Sequence, residues 1–211
     1  TRGVRPRTAL LHGAVAGFVT SWAVTWWLVQ AISAYFAASI LLGAAATSAA
    51  YVLAVASTFA AFALLVAIVT PQLAPPVRPL VVAGLWVACE FVRARLLGDP
   101  WALLGYTQYR VVPLLQIATV TGVYGVSFVV ALGNAMLAEM TAARGSLARR
   151  VRTLAPSLAI VVAVLAGGML TLRARPVDGG QTLPIAIVQT NAPPAFTWTR
   201  RYAERQLDQA F

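Results

Sequence analysis

Residues 39–69, SILLGAAATSAAYVLAVASTFAAFALLVAIV, decide the fold class, because they contain no charged side chain and no proline. A helix needs about 20 apolar residues to cross the hydrocarbon core of a bilayer, so this stretch can cross it and still tilt or project. The uncharged region is wider still, since residues 8–77 hold no Arg, Lys, Asp or Glu. The whole chain of 211 residues is 60% hydrophobic and 10% charged, with a mean hydropathy of +0.78. A soluble domain is nearer half apolar and one quarter charged, so the sequence predicts an α-helical polytopic membrane domain.

The same length criterion predicts five membrane-spanning helices within residues 1–175. They are Leu10–Ile32, Ser39–Val69, Leu80–Leu97, Gln116–Met140 and Leu154–Leu172. Prolines between residues 71 and 79 end the second helix and open the third, because proline cannot donate to the helix ladder. Gly98-Asp99-Pro100 ends the third helix. A further short or re-entrant segment near Ala31–Ala38 stays open.

The chain is strongly basic: 16 basic residues, all Arg, against 6 acidic ones give a net charge of +10. Such a balance can indicate nucleic-acid binding, but here the arginines flank apolar segments, as charges beside membrane helices do. We therefore expect no nucleic-acid partner. Alternate loops carry eight arginines on one side and five on the other. This bias predicts a cytoplasmic N-terminus and places the residues after Arg173 outside the cell membrane.

Residues 176–211 differ in character from the apolar part of the chain. Leu183–Thr190 is a short apolar, β-branched run that predicts a buried strand of an α/β sheet. Thr197–Phe211 follows as the start of an amphipathic, charged helix. One strand and one helix cannot bury a core. We therefore expect this segment to be the beginning of a second domain.

Small and aromatic residues of the first predicted span indicate how it packs. Gly13 and Gly17 lie one helical turn apart, so another helix could approach closely there. Phe18, Trp22 and Trp26 recur on one helix face. They form either an interfacial belt with packing contacts or a wall that faces a cavity.

Neither the only cysteine nor the only histidine is expected to act as a nucleophile or a metal ligand. Cys89 lies in an apolar run with no His or Lys to activate a thiol, so we expect a buried core residue rather than a nucleophile. His12 lies at the predicted membrane edge, and one histidine does not make a metal site. We expect no metal and no cofactor.

Charged and aromatic residues meet at the end of the third predicted span. Glu90 and Arg93 are three residues apart, so they share a helix face and can pair. Ionisable residues at membrane depth suggest function, and the pair is either structural or lines a site. The loop from Gly98 to Tyr109 is rich in glycine and aromatic residues, which suits either an ordinary interfacial loop or one that handles lipid.

Several short motifs follow one another along the chain. They are Trp86-Val-Ala-Cys-Glu-Phe-Val-Arg93, Gly98-Asp-Pro-Trp101, Leu104-Gly-Tyr-Thr-Gln108, Leu115-Gln-Ile-Ala118, Gly122-Val-Tyr-Gly-Val-Ser-Phe128 and Ile187-Val-Gln-Thr-Asn-Ala-Pro193, followed by Trp198. In type, order and spacing this series resembles the apolipoprotein N-acyltransferase family. The resemblance covers essentially the whole chain and is strongest from Trp86 to Trp198.

The resemblance implies a transmembrane helical domain, residues 1–175, and the N-terminal part of a periplasmic nitrilase-like (α-β-β-α) domain, residues 176–211. It also implies two helices ahead of the first span and a place in the bacterial plasma (inner) membrane. In the family a Cys thiolate takes an acyl chain from a phospholipid and passes it to the N-terminal diacylglyceryl-Cys of an apolipoprotein. A Glu acts as general base and a Lys stabilises the oxyanion. All three would lie beyond Phe211, so we expect these 211 residues alone to be inactive.

The site residues that the resemblance implies are lipid contacts rather than catalytic groups. The candidates for substrate or lipid contact are Trp101, Trp198, Arg93, Glu90, Tyr106 and Gln108, while Gly98 and Gly105 shape the loop. Trp198 matches a tryptophan near the entrance of the family's active site, and Trp101 matches its loop tryptophan. Arg93 would hold a lipid phosphate or pair with Glu90. Asp99 stands where the family commonly has Phe.

Two other functions fit an apolar helical domain. Such a domain could anchor a polyprenol-phosphate mannose synthase, by fusion or as its partner. It could also belong to a transporter, which would place ionisable residues deep in several spans and repeat its first half in its second. Only Glu90 and Arg93 approach that pattern, and no internal repeat is evident.

Overall fold

The computed structural model describes residues 4–142, 146–174, 184–187 and 199–208, and it is helical throughout its regular elements. The α-helices are α1 (Pro6–Thr25), α2 (Leu28–Tyr35), α3 (Ile40–Ala50), α4 (Ser57–Val69), α5 (Arg78–Leu96), α6 (Val112–Leu115), α7 (Ala118–Thr121), α8 (Val123–Ala142), α9 (Leu147–Ala174) and α10 (Arg200–Asp208). A π-helical stretch, Tyr51–Ala56, joins α3 to α4, and 3₁₀ turns cover Thr70–Gln72 and Leu104–Gln108. The predicted helical membrane domain is therefore confirmed.

Within the described residues, four helical segments are long and apolar enough to cross a membrane, not the five that the sequence predicts. They are Pro6–Thr25, Ile40–Gln72, Val123–Ala142 and Leu147–Ala174. Helix α5 has the length, at 19 residues, but its acidic and basic residues lower its hydropathy. Of the five predicted spans, it is the only one that is not both long and apolar enough to cross a membrane. It packs between α4 and α8.

Two predicted spans are wrong in their extent because the chain turns inside them. The first was expected to run to Ile32, but α1 ends at Thr25 and α2 forms separately, which supplies the short extra segment near Ala31–Ala38. The fourth was expected to start at Gln116, but α6 and α7 occupy that region and α8 starts after Gly122, whose φ is +63°. A left-handed residue cannot continue a right-handed helix.

The two glycines of α1 bring it against α4, as their spacing predicts. A Cβ on Gly13 would meet the backbone of Phe59 and Ala60, and one on Gly17 would lie 2.9 Å from Cα of Ala56. Real Cβ contacts are not that short, so only glycine permits this approach. Such close packing is one of the interactions that hold helices together in lipid.

The π-helical stretch is fixed to the end of α1 by one side chain. The hydroxyl of Tyr51 lies 2.6 Å from Oγ1 of Thr25 and 2.5 Å from its carbonyl oxygen. Tyr51 also packs edge-on against Trp22, with ring centroids 5.6 Å apart. The C-terminal end of α1 is therefore held against the π-helical stretch.

A second packed region joins α5, α8 and α9. Ala83 of α5 and Ala131 and Leu132 of α8 form its centre. A neighbouring cluster, around Leu114, Val126 and Val129, packs α6 and α8 against α9. Side chains from three helices thus fix the position of α5 relative to α8.

The C-terminal part of the chain is described only in two short pieces. Helix α10 confirms that the charged segment is helical. The predicted strand, Leu183–Thr190, is described only at residues 184–187, and those have no regular secondary structure. Ile185 and Ile187 there are exposed, so the buried strand is not observed. A nitrilase-like domain starting at residue 176 stays a prediction.

Candidate functional site: an apolar cavity beneath a fixed loop

A cavity of about 820 Å³ lies between α1, the π-helical stretch and α4 on one side and α8 on the other. Helix α5 forms its back wall through Val82, Trp86, Glu90 and Arg93. These residues are spaced four, four and three apart, so one face of the helix lines the cavity. Residues 102–104, 106 and 107 cover one end. A volume of this size suits a small-molecule ligand.

Glu90 attaches the covering loop to α5. Its side chain is 1% exposed, and its Oε1 accepts a hydrogen bond from the backbone N–H of Leu104 at 2.6 Å. Its Oε2 is buried without a hydrogen-bond partner. An acidic side chain inside an apolar helix bundle is costly, and here it satisfies a backbone donor where the loop turns back over the cavity.

Gly105 attaches the same loop to α8. Its backbone N–H donates to Oγ of the buried Ser127 at 2.8 Å. A Cβ on Gly105 would lie 2.7 Å from the carbonyl oxygen of Val123. The glycine that the resemblance assigned to loop shape is therefore required by close approach to α8, a contact that the sequence alone does not reveal.

Arg93 holds the first part of the loop. Its Nη1 lies 2.6 Å from Oδ2 of Asp99 and donates to the carbonyl oxygen of Trp101 at 2.9 Å. The chain can return to Arg93 because Gly98 adopts a φ of +67° just after α5 ends. Of the two interpretations of Glu90 and Arg93, a mutual pair is not observed: both side chains bind the loop instead. Asp99 supplies the ion partner of Arg93, which helical spacing could not predict.

Trp86 forms the middle of the back wall. Its ring lies edge-on to Phe59 and Phe62 of α4, with centroids 5.1 and 5.0 Å apart. These contacts join α4 to α5 below the loop. The sequence placed Trp86 in a motif but gave it no role, because ring contacts between helices leave no periodic signal.

The aromatic face of α1 does not line the cavity. Phe18, Trp22 and Trp26 are absent from its walls, and the adjacent face of α1, from Thr20 to Thr25, lines it instead. Those aromatic residues therefore do not form a wall of this cavity. Trp26 is exposed, as an interfacial residue would be.

The remaining predicted site residues are divided between the cavity and the surface. Tyr106 lines the cavity and is half exposed. Trp101 lies outside it, stacked on Trp27 with centroids 6.3 Å apart. Gln108 also lies outside and donates to Oγ1 of Thr107 at 2.9 Å. Trp198 falls outside the described residues, and Cys89 is a buried free cysteine, as expected.

The chemistry of the cavity is uneven along its length. Charged groups are confined to the end beneath the loop, at Glu90 and Arg93, while the other walls are mainly aliphatic and aromatic. Across residues 4–142, 146–174, 184–187 and 199–208, no cluster of His, Cys, Asp and Glu could hold a metal ion. The arrangement can accommodate an elongated apolar group that has one polar end.

Fold and cavity together define a multi-pass helical membrane domain with a partly open, largely apolar site. Residues 1–136 match the family model described as the apolipoprotein N-acyltransferase N-terminal domain. This match covers well over half of the chain, so the chain belongs to the apolipoprotein N-acyltransferase family.

Curated relatives agree with the family model. An apolipoprotein N-acyltransferase of Azotobacter vinelandii is 34% identical over 208 residues, which cover 98% of this chain and 39% of the relative. One of Pseudomonas putida is 32% identical over 213 residues, 98% of this chain and 40% of the relative. One of Geobacter metallireducens is 40% identical over 126 residues, 57% of this chain and 23% of the relative. The chain thus spans about two fifths of the length of relatives that match it from end to end, and no result supports the mannose synthase anchor.

Proposed function

We propose that the complete protein transfers an acyl chain from a phospholipid to the N-terminal diacylglyceryl-Cys of apolipoproteins, and that this domain holds the donor chain. The observation that carries the proposal is the cavity, whose walls are apolar along most of their length and charged only beneath the loop. A phospholipid has the same distribution of polarity. Family membership supplies the reaction.

The proposed orientation puts the loop and the downstream residues on one side. With a cytoplasmic N-terminus, α5 would run outward, α8 inward and α9 outward. The loop after α5 and the chain after α9 would then both lie on the periplasmic face of the inner membrane. A chain held in the cavity would have its ester close to the part of the protein that continues after residue 174.

The bond changes would take place outside these 211 residues. A Cys thiolate would attack the ester carbonyl, forming a thioester and releasing the lysophospholipid. The amine of the acceptor would then attack the thioester, forming an amide and returning the thiol, with a Glu taking the proton. This chain has no Lys and only the buried Cys89. We therefore propose that it does not catalyse transfer by itself.

Expression in cells depleted of their own apolipoprotein N-acyltransferase tests the proposal. The complete gene should restore N-acylated lipoproteins, detected as triacylated N-terminal peptides by mass spectrometry. The 211-residue chain, produced at the same level, should leave them diacylated. Triacylated peptides from the 211-residue chain would contradict the assignment of chemistry to residues beyond Phe211, and diacylated peptides from the complete gene would contradict the proposed activity.

A further inference from the structure

The cavity has a definable depth along α5. Arg93 marks its charged end and Val82 its far end, and eleven residues of α-helix cover about 16 Å. Helix α8 runs antiparallel to α5, so its lining residue farthest from the loop is Ala138, and that of α4 is Phe62. On α4, α5 and α8, the lining residues farthest from the loop are therefore Phe62, Val82 and Ala138, and we call this part of the cavity its far end.

The far end offers an occupant almost no hydrogen bonds. The polar lining residues of α4 and α8 are Thr58 and Asn134, one turn nearer the loop than Phe62 and Ala138. Both donate to carbonyl oxygens four residues earlier in the chain, at 2.7 and 3.0 Å. Neither needs a polar ligand as a donor partner. The occupant of that end should be hydrocarbon, because burying apolar surface is its main source of binding energy.

We infer that Val82, Phe62 and Ala138 determine which acyl-chain length the protein accepts. The inference rests on the proposed function, since it assigns the donor's chain to this cavity. An extended chain advances about 1.2 Å per bond, so about 13 or 14 carbons fill the distance from the level of Arg93 to that of Val82. A longer chain must bend or leave the cavity, and a shorter one leaves a void that costs contacts.

Ala138 allows the depth to be changed with a matched control. Phenylalanine at this position fills about one helical turn, 5.4 Å, which removes room for about four carbons. Leu137 is the neighbouring residue on α8, is largely exposed and does not line the cavity. Leu137→Phe therefore adds an aromatic ring at the same depth without changing the cavity. Val82→Ala should deepen the cavity, because it removes two methyl groups from the lining, and it carries little risk to folding.

The test uses the complete protein in vesicles with diacyl phospholipids that carry a photoreactive diazirine, either near the ester or near the methyl end of the chain. The ester-proximal probe should label peptides around Arg93 and Tyr106, and the methyl-end probe peptides around Val82 and Ala138. Ala138→Phe should lower labelling by chains of about 16 carbons relative to chains of about 12 by about 10-fold or more. Leu137→Phe should leave that ratio unchanged, and Val82→Ala should raise it.

Each outcome of this test decides one of the two proposals. Labelling that is equal along the cavity, or a chain-length ratio that Ala138→Phe and Leu137→Phe change alike, overturns the inference. Labelling with the expected pattern but no acyl product from any phospholipid supports the inference about the cavity and overturns the proposed transfer activity. Because binding is read separately from transfer, the two failures are distinguishable.

Discussion

Removing the carboxylate of Glu90 should free the loop that covers the cavity. In Glu90→Ala, the backbone N–H of Leu104 loses its acceptor at 2.6 Å, and the site is too buried for water to replace it easily. A hydrogen bond to a charged acceptor contributes about 1.5–3 kcal/mol, and an unsatisfied buried donor costs about 1–3 kcal/mol. These figures describe the same contact, so we expect a total loss of about 2–3 kcal/mol. Part of this is offset because the unpartnered Oε2 is removed too.

Glu90→Gln is the matched control, because it keeps an oxygen that can accept from Leu104 while it removes the charge. We expect this variant to lose less than about 1 kcal/mol. Unfolding in one detergent, followed by circular dichroism, gives the stability difference between the two variants. Hydrogen exchange of the peptide covering residues 103–108 reports the loop itself, and it should speed up in Glu90→Ala alone. Equal losses of stability and equal hydrogen exchange in the two variants would refute the hydrogen-bond argument. The charge of Glu90, and not its acceptor oxygen, would then hold the loop.

Three further substitutions test single contacts by thermal unfolding in the same detergent. Asp99→Ala removes the ion partner of Arg93; Asp99 is partly exposed, so we expect a loss of about 1–2 kcal/mol, and an unchanged melting temperature would contradict the role of the pair. Gly105→Ala places a Cβ against the Val123 carbonyl and should cost about 1–3 kcal/mol, whereas Gly133→Ala, which meets nothing within 4 Å, should be neutral; equal costs would refute the close-approach argument. Gly17→Leu should separate α1 from α4 and lower the melting temperature; an unchanged melting temperature would show that the two helices tolerate a wider spacing.

The sequence predicts the helical membrane class correctly because hydropathy over about 20 residues is a strong physical signal. It places helix ends poorly where the chain turns without a charge or a proline. The turn after Thr25 lies within an apolar run, and so does Gly122 with its positive φ. Hydropathy does not detect either of them. For helix α5, hydropathy misleads in the other direction. Its charged residues lower its mean hydropathy below that of a membrane span, although the helix packs between α4 and α8.

The candidate site shows what spacing can and cannot predict. Helical periodicity puts Glu90 and Arg93 on one face, and they do line one cavity. Their partners come from a loop whose path depends on Gly98 and on contacts with α8. Such contacts join residues up to 22 positions apart, and a single sequence contains no signal for them. The same holds for the ring of Trp86 between two phenylalanines of α4.

Transfer by the purified complete protein shows whether this domain serves an acyltransferase by holding the donor's chain. The reaction contains a phospholipid with a labelled acyl chain and a diacylglyceryl-Cys peptide with a free N-terminus. We expect labelled amide on the peptide and an equal amount of lysophospholipid. We also expect lower transfer in a variant that loosens the loop, Glu90→Ala, than in Glu90→Gln. A peptide that stays unlabelled while the protein is folded and binds phospholipid would contradict the proposed transfer.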